Sequence, residues 1–471
     1  MTSIYTSISS LRRDLKSRSV STVEIVEGCL DRIKKSEHLN IYIEVFADSA
    51  LEQARRLDDL LKGEDYKLRP LDGCVVSIKD VLCYKGHRVT AASHILGDYI
   101  SPYTATAVQK LIDAGAIIIG RTNCDEFAMG STNEHSRYGA TLNGVDPSRV
   151  PGGSSGGAAV SVEQDTCMIG LGSDTGGSVR QPAAFCGIYG MKPSYGRISR
   201  YGLIAYGSSF DQIGIVAKDV DALSQALEIM SGQDPMDATS AALDPPSGCT
   251  TDHEKKRIGY ISEILDHPSL HPEIKTGMEL MIEDLRSEGH TCEPVGLDLL
   301  DYLIPTYYVL TTAEASSNLS RYDGIRYGHR TSDFSDLQDL YEKTRSEGFG
   351  LEVKRRIMMG TFVLSVGYYD AYFTKAQQVR TLIIEQVQNI FKEYDCIMTP
   401  TTTDFAFKKG EMISDPVAMY LSDMTTVLAN LTGIPCISVP KKSETTGLPY
   451  GVQFMCDKYQ DEGLMSFCMS L

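Results

Sequence analysis

Residues 152–187 read GGSSGGAAVSVEQDTCMIGLGSDTGGSVRQPAAFCG. The apolar run after the first glycines predicts a helix beginning near Gly156, CMIGLG (167–172) predicts a buried strand, and SDTGGS (173–178) a turn where a second helix can start. Gly/Ser runs taken alone are common linkers. Here they sit inside an α/β pattern instead, with Pro151 before them and AAVSV after. Each glycine cluster frames a serine, Ser154 in the first and Ser178 in the second.

The same alternation continues outward. CVVSIK (74–79) and AIIIG (116–120) read as strands with a helix near 104–114 between them. Beyond the motif come RIGYI (257–261), a helix over 272–288 and a largely helical stretch from about 306 to 394. CIMTP (396–400), IPCISVP (434–440) and GVQFMC (451–456) read as strands returning to the main sheet. At the start, MTSIYTSISSLRRDLKSRS (1–19) suits an amphipathic helix. In STVEIVEGCLDRI (21–33), Ser21 and Glu24 form a capping box, with Val23, Val26, Leu30 and Ile33 on one helical face. Residues 233–255 crowd Pro, Ser, Thr, Asp and Gly together and read as a surface excursion. No repeat of solenoid length is present. The expected fold is a single large α/β domain over 1–471, a mixed sheet flanked by helices, with a motif core at about 70–215 and a helical excursion at about 300–395 shaping a substrate pocket.

Composition narrows the function classes. With 471 residues, 42% hydrophobic and 23% charged, the chain has globular proportions, and no run approaches the roughly 18 apolar residues of a membrane helix. The balance of 45 basic against 62 acidic residues, a net charge of −17, repels phosphate backbones; any nucleic acid is expected to be held by a partner. The first residues lack the apolar core of a secretory signal, and the twelve cysteines include no CxxC pair and no disulfide framework. A reducing cytoplasm is the expected location, with an organelle address, from the Ser/Arg content of the start, as the alternative. No His/Cys cluster suggests a metal.

The chemistry lies in the two serines. Gly176 and Gly177 let successive N–H groups point into one concavity beside Ser178, a nest suited to negative charge, a phosphate loop or a plain turn. A Walker-type loop requires a lysine after its glycines, and none follows. A serine nucleophile needs a base. None of the nine histidines lies in a glycine-rich or strand-end setting, and GxSxG is missing around Ser178. Lys79 is the other candidate: it ends the apolar run CVVSI, where desolvation at a strand end lowers a lysine's pKa, although such a lysine can equally be a solvated strand-end charge.

VSIKD (76–80), GGSSGG (152–157) and GSDTGGSVRQPAAFCG (172–187), in that order, resemble the amidase signature family. The resemblance implies Lys79 as general base, Ser154 as a bridging serine held by a cis peptide and Ser178 as the acylated nucleophile. It also implies an oxyanion hole of backbone N–H groups around Thr175, Gly176, Gly177 and Ser178. Loss of one such donor typically raises a barrier by about 3–4 kcal/mol. NCDEFAMGSTNEHSRYG (123–139), MKPSYGRISRYGLIAYGSSFDQIG (191–214), EASSNLSRYDGIRYGHR (314–330) and SEGFGLEVKRRIMMGTFVLSVGYYDAY (346–372) resemble the branch of that family that serves as the glutaminase subunit of tRNA-dependent amidotransferases.

That branch implies glutamine as amide donor and two partner subunits, B and C, in a heterotrimer. The partners hold the misacylated tRNA, Glu-tRNA(Gln) or Asp-tRNA(Asn), and ATP and magnesium are used there, with no cofactor in this chain. Free glutamine must be recognised by its charged α-groups, which calls for a carboxylate and an arginine. By resemblance these are Asp423 and Arg356, with Tyr307 nearby and Gly130 at the pocket; the neighbours Tyr308 and Arg355 are open alternatives for the tyrosine and the arginine. The family usually continues through a further helix after GVQFMC, so DEGLMSFCMSL (461–471) reads as that helix cut short.

Overall fold

A computed structural model describes residues 5–63, 65–246, 249, 251–411 and 422–471. Eleven strands among these residues form one mixed sheet. They are β1 (Tyr42–Val45), β2 (Val75–Lys79), β3 (Ile117–Thr122), β4 (Ile169–Asp174), β5 (Tyr189–Lys192), β6 (Gln212–Ala217), β7 (Arg257–Ile261), β8 (Thr291–Val295), β9 (Cys396–Pro400), β10 (Cys436–Lys442) and β11 (Pro449–Met455). Their order across the sheet is β1-β3-β2-β4-β6-β5-β10-β11-β9-β7-β8. β2 runs parallel to both β3 and β4, and β4 is antiparallel to β6. The sheet is thus mixed, as the sequence predicts, and the returning strands β9, β10 and β11 extend it beyond β5.

The middle strands explain the site's position. Every residue of β2, β3, β4 and β6 is buried, the signature of strands covered by helices on both faces. The helix Gly156–Glu163 supplies one cover, and Gly170 of β4 allows its close approach: a Cβ there would lie 2.8 Å from the Ala158 carbonyl oxygen. β2 and β4 are parallel neighbours, so their carboxyl ends open at the same edge, where α/β sheets place ligands. Lys79 ends β2 and Asp174 ends β4. β4 continues two residues past the expected CMIGLG because Ser173 and Asp174 pair with Ile213 and Gln212 of β6.

Local expectations hold with small shifts. The first helix covers Ile8–Ser17. The helix Thr22–Lys35 has both hydrogen bonds of the Ser21/Glu24 capping box. Its deepest stripe runs through Ile25, Val26 and Cys29, with Val23, Leu30 and Ile33 half-buried alongside. The helical excursion comprises Leu303–Leu319, Leu337–Gly348, Leu351–Val363 and Lys375–Ile390. Helices Leu303–Leu319 and Leu351–Val363 touch so closely that a Cβ on Gly360 would lie 1.9 Å from the Thr312 carbonyl oxygen. A second apolar cluster, containing Tyr307, Tyr308, Ile383, Val427 and Met455, locks this excursion onto the sheet. Residues 247, 248 and 250 of the 233–255 excursion lie outside the described residues. Among the described residues no helix is long and apolar enough to cross a membrane.

Candidate active site

Lys79 projects from the end of β2 into a ring of hydroxyls. Its Nζ lies 2.7 Å from Ser154 Oγ, 2.9 Å from Ser155 Oγ and 3.0 Å from Ser173 Oγ. Lys79, Ser154 and Ser155 are wholly buried, whereas Ser178 retains 8% exposure. Of the two glycine-framed serines, Ser178 is therefore the one a substrate can reach. Burial pushes the Lys79 ammonium down to about 8, with the carboxylates of Asp125, Asp174 and Asp211 pulling the other way. About one lysine in ten is then neutral at pH 7 and half at pH 8. Far more of it is neutral, and so available to accept a proton, at this pH than of a solvated strand-end lysine.

Two segments distant in sequence converge on it. The peptide Gly153–Ser154 is cis. Gly153 N–H donates to Gln181 Oε1 at 3.1 Å, and Ser155 N–H to the Ser178 carbonyl at 3.0 Å. The GGSSGG loop is thereby tied to the turn that carries Ser178. Asp174 organises the turn from below, receiving Gly177 N–H at 2.8 Å, Val179 N–H at 3.2 Å and two bonds of 3.0 Å from the Arg180 guanidinium. Burial alone would raise its pKa, but Arg180, Lys192 and Asn430 outweigh burial and hold it below the ordinary range. Asp174 is thus an ionised structural anion.

This corrects one expectation. Gly177 N–H, read from sequence as an oxyanion donor, is directed at Asp174, because a buried ionised carboxylate binds the nearest amides. Its glycine remains necessary for another reason: at φ 122°, a Cβ there would lie 2.4 Å from Thr426 Oγ1. No hydrogen bond ties the N–H groups of Gly176 and Ser178 among the described residues. Thr175 is fixed through its side chain, which donates to Asp211 Oδ1 at 2.7 Å. No histidine hydrogen-bonds Ser154 or Ser178 there either.

Beyond the turn lies a buried charged corner. Asp423 accepts from Tyr308 at 2.8 Å and from Ser131 at 3.0 Å. Burial raises its pKa to about 6, opposed by Tyr308, Ser131 and the Arg356 charge. Arg356 is 2% exposed, donating from Nε to Glu352 at 2.9 Å and from Nη1 to the Tyr206 hydroxyl at 2.7 Å, its guanidinium 5.5 Å from the Tyr308 ring centroid. Arg355 pairs with the other oxygen of Glu352 and stays partly exposed. The two tyrosines divide the corner: Tyr308 meets Asp423, whereas Tyr307 packs on the serine turn, where a Cβ on Gly176 would lie 2.4 Å from its hydroxyl. Gly130, at φ 155°, wraps its loop around the Asp125 carboxylate and so presents Ser131 to Asp423.

The Amidase family model matches residues 24–465. The chain belongs to the amidase family. It is 50% identical over 459 residues to the A subunit of the glutamyl-tRNA(Gln) amidotransferase of Koribacter versatilis, covering 96% of this chain and 95% of that protein. The crystal structure of the Thermotoga maritima protein of the same name superposes with a TM-score of 0.74 at 38% identity, covering 96% of this amidase and 94% of that chain. A bacterial aryl acylamidase at 20% identity and a TM-score of 0.85 shares the fold.

Sequence reading missed several members of this amidase's site. Ser155 and Ser173 complete the ring around Lys79, and Glu352, Tyr206, Ser131 and Asp211 hold the pocket groups. Ser155 lies inside the GGSSGG motif, and its adjacency to Ser154 was the available signal. Glu352 stands four residues before Arg356 on one helix, a spacing that was also a local signal. Ser173, Ser131, Tyr206 and Asp211 carry none, since the groups they hold are far away in the chain.

Proposed function

We propose that this chain is the glutaminase subunit of a tRNA-dependent amidotransferase, hydrolysing glutamine to glutamate and ammonia through an acyl-enzyme on Ser178. The observation that carries this reading is the placement of a buried Lys79–Ser154 pair at one end of the Ser178 turn and buried Asp423 and Arg356 at the other. The first suits serine chemistry without histidine, and the second suits an amino acid with both α-charges.

Ser178 Oγ attacks the carboxamide carbon of glutamine; its proton passes to Ser154, whose own proton passes to neutral Lys79. The developing oxyanion is met by backbone N–H groups of the turn, those of Gly176 and Ser178 foremost. Collapse of the tetrahedral adduct breaks the C–N bond, and the proton returns by the same route to the departing ammonia. Water then attacks the ester with the relay repeated, releasing glutamate. Asp423 takes the α-ammonium of the substrate and Arg356 its α-carboxylate, while Gly130 and Tyr307 shape the walls.

Ammonia is handed to a partner that binds the misacylated tRNA and uses ATP and magnesium to activate its carboxylate, completing a heterotrimer with subunits B and C in the cytoplasm. The net charge of −17 supports a chain that leaves tRNA to its partners. Glutamate release and filter binding, with and without partner subunits, ATP and misacylated tRNA at fixed salt, test the reading. The lone chain is expected to show weak glutaminase activity and no tight tRNA complex. Full turnover indifferent to partners would point to an independent amidase.

A further inference from the structure

Tyr206 belongs to neither the serine relay nor the pocket residues read from sequence, yet it touches the supports of both. It is buried on the turn before β6. Its N–H donates to Asp211 Oδ2 at 2.9 Å, and Gly207 N–H donates to Oδ1 at 3.0 Å. The same Oδ1 receives the hydroxyl of Thr175 from the serine turn. Asn318 Nδ2 grips the Tyr206 carbonyl at 3.1 Å. The Tyr206 backbone is therefore registered against the serine turn through one shared carboxylate.

Its hydroxyl in turn fixes the charged corner. Arg356 Nη1 donates to it at 2.7 Å, while Glu352 takes Nε of the same guanidinium from the other edge. Two acceptors on different nitrogens set the plane of a rigid fork, which a single one cannot. The two acceptors also differ in kind. Glu352 shares its carboxylate between Arg355 and Arg356, whereas Tyr206 offers a single phenol oxygen to the guanidinium. The phenol of Tyr307, packed on Gly176, adjoins Tyr206 as well.

We propose that Tyr206 is a specificity-determining positioning residue, whose hydroxyl holds the Arg356 guanidinium in register with the serine turn so that an amide bearing an α-carboxylate is presented to Ser178. This rests on the proposed role of Arg356 in receiving that carboxylate.

The test uses the full-length chain copurified with its partner subunits, comparing Tyr206→Phe and Arg356→Lys on L-glutamine and on 4-aminobutanamide, which is glutamine without its α-carboxylate. Losing a hydrogen bond to a charged group corresponds to about a tenfold effect or more, so Tyr206→Phe is expected to raise KM for glutamine about tenfold with kcat within about twofold. Its kcat/KM for 4-aminobutanamide should stay within about twofold of the parent. The ratio of the two kcat/KM values is independent of the fraction of protein folded, so a stability loss does not obscure it. An unchanged glutamine KM in Tyr206→Phe, with a raised one in Arg356→Lys, would overturn the role of Tyr206 and leave that of Arg356. Equal losses on both substrates would make Tyr206 merely structural. A normal glutamine KM in Arg356→Lys would remove the underlying reading and this inference with it.

Discussion

Lys79 Nζ and Ser154 Oγ stand 2.7 Å apart with both residues wholly buried, so a cation and a hydroxyl share a site from which water is excluded. An ammonium in such a place is costly, and that cost is what lowers its pKa toward the working range of a base.

Activity should follow that titration. Expected neutral from its strand-end setting, Lys79 has a pKa lowered to about 8, so its neutral form grows as pH rises through that value. Glutamine kcat/KM is expected to climb about tenfold per pH unit below 8 and level off above it. Lys79→Arg should lose activity by a factor of about a thousand or more, because arginine stays charged at every accessible pH. A pH profile flat from 6 to 9, or near-normal turnover in Lys79→Arg, would make the lysine structural.

Ser178→Ala should abolish glutaminase activity and leave stability within about 1 kcal/mol, since only a hydroxyl near the surface is removed. Ser154→Ala should reduce turnover severely by breaking the relay. Urea melts alongside glutamate release separate loss of chemistry from loss of fold, and a Ser178→Ala protein that still turns over would end the mechanism.

Glutamine binding should weaken on the acid side for a different reason. The pKa of Asp423 is raised to about 6, so its charge is present above that pH and lost as pH falls through it. Below pH 6 the carboxylate proposed to meet the α-ammonium loses its charge, and KM should rise over and above the Lys79 effect on kcat. Asp423→Asn should show a raised KM with no further acid limb near 6, as read from Michaelis curves between pH 5 and 8.

Arg180 and Asp174 form a fully buried bidentate pair. Arg180→Met leaves the buried Asp174 charge without its guanidinium partner and should destabilise the protein by about 3 kcal/mol, seen as a lower urea midpoint. Combining it with Asp174→Asn should recover part of that loss. Because the pair lowers the Asp174 pKa, its contribution is complete above the free-carboxyl value of 3.8 and fades as pH drops below it. A single Arg180→Met variant as stable as the parent would remove this pair as the anchor of the serine turn.

The α/β class, the strands at 75–79 and 169–174, the capped second helix and the three motif segments were legible in the chain because each is a local matter. Apolar runs, a Ser-x-x-Glu box and paired glycines announce themselves within a few residues. The residue types needed for serine chemistry could be chosen in the same way: a lysine at the end of an apolar run and two serines in glycine frames.

Tertiary structure alone decided which neighbour does what. Tyr307 and Tyr308 are adjacent in sequence, but a helix turns about 100° per residue, sending one to the serine turn and the other to Asp423. Arg355 and Arg356 part in the same way, one toward solvent and one into the buried corner. Gly177 is a glycine in any reading, yet only the folded position of Asp174 shows that its N–H is directed away from the pocket. Tyr206 and Asp211 gained their roles from partners brought close only by folding, since hydrogen bonds act over about 3 Å whatever the distance along the chain.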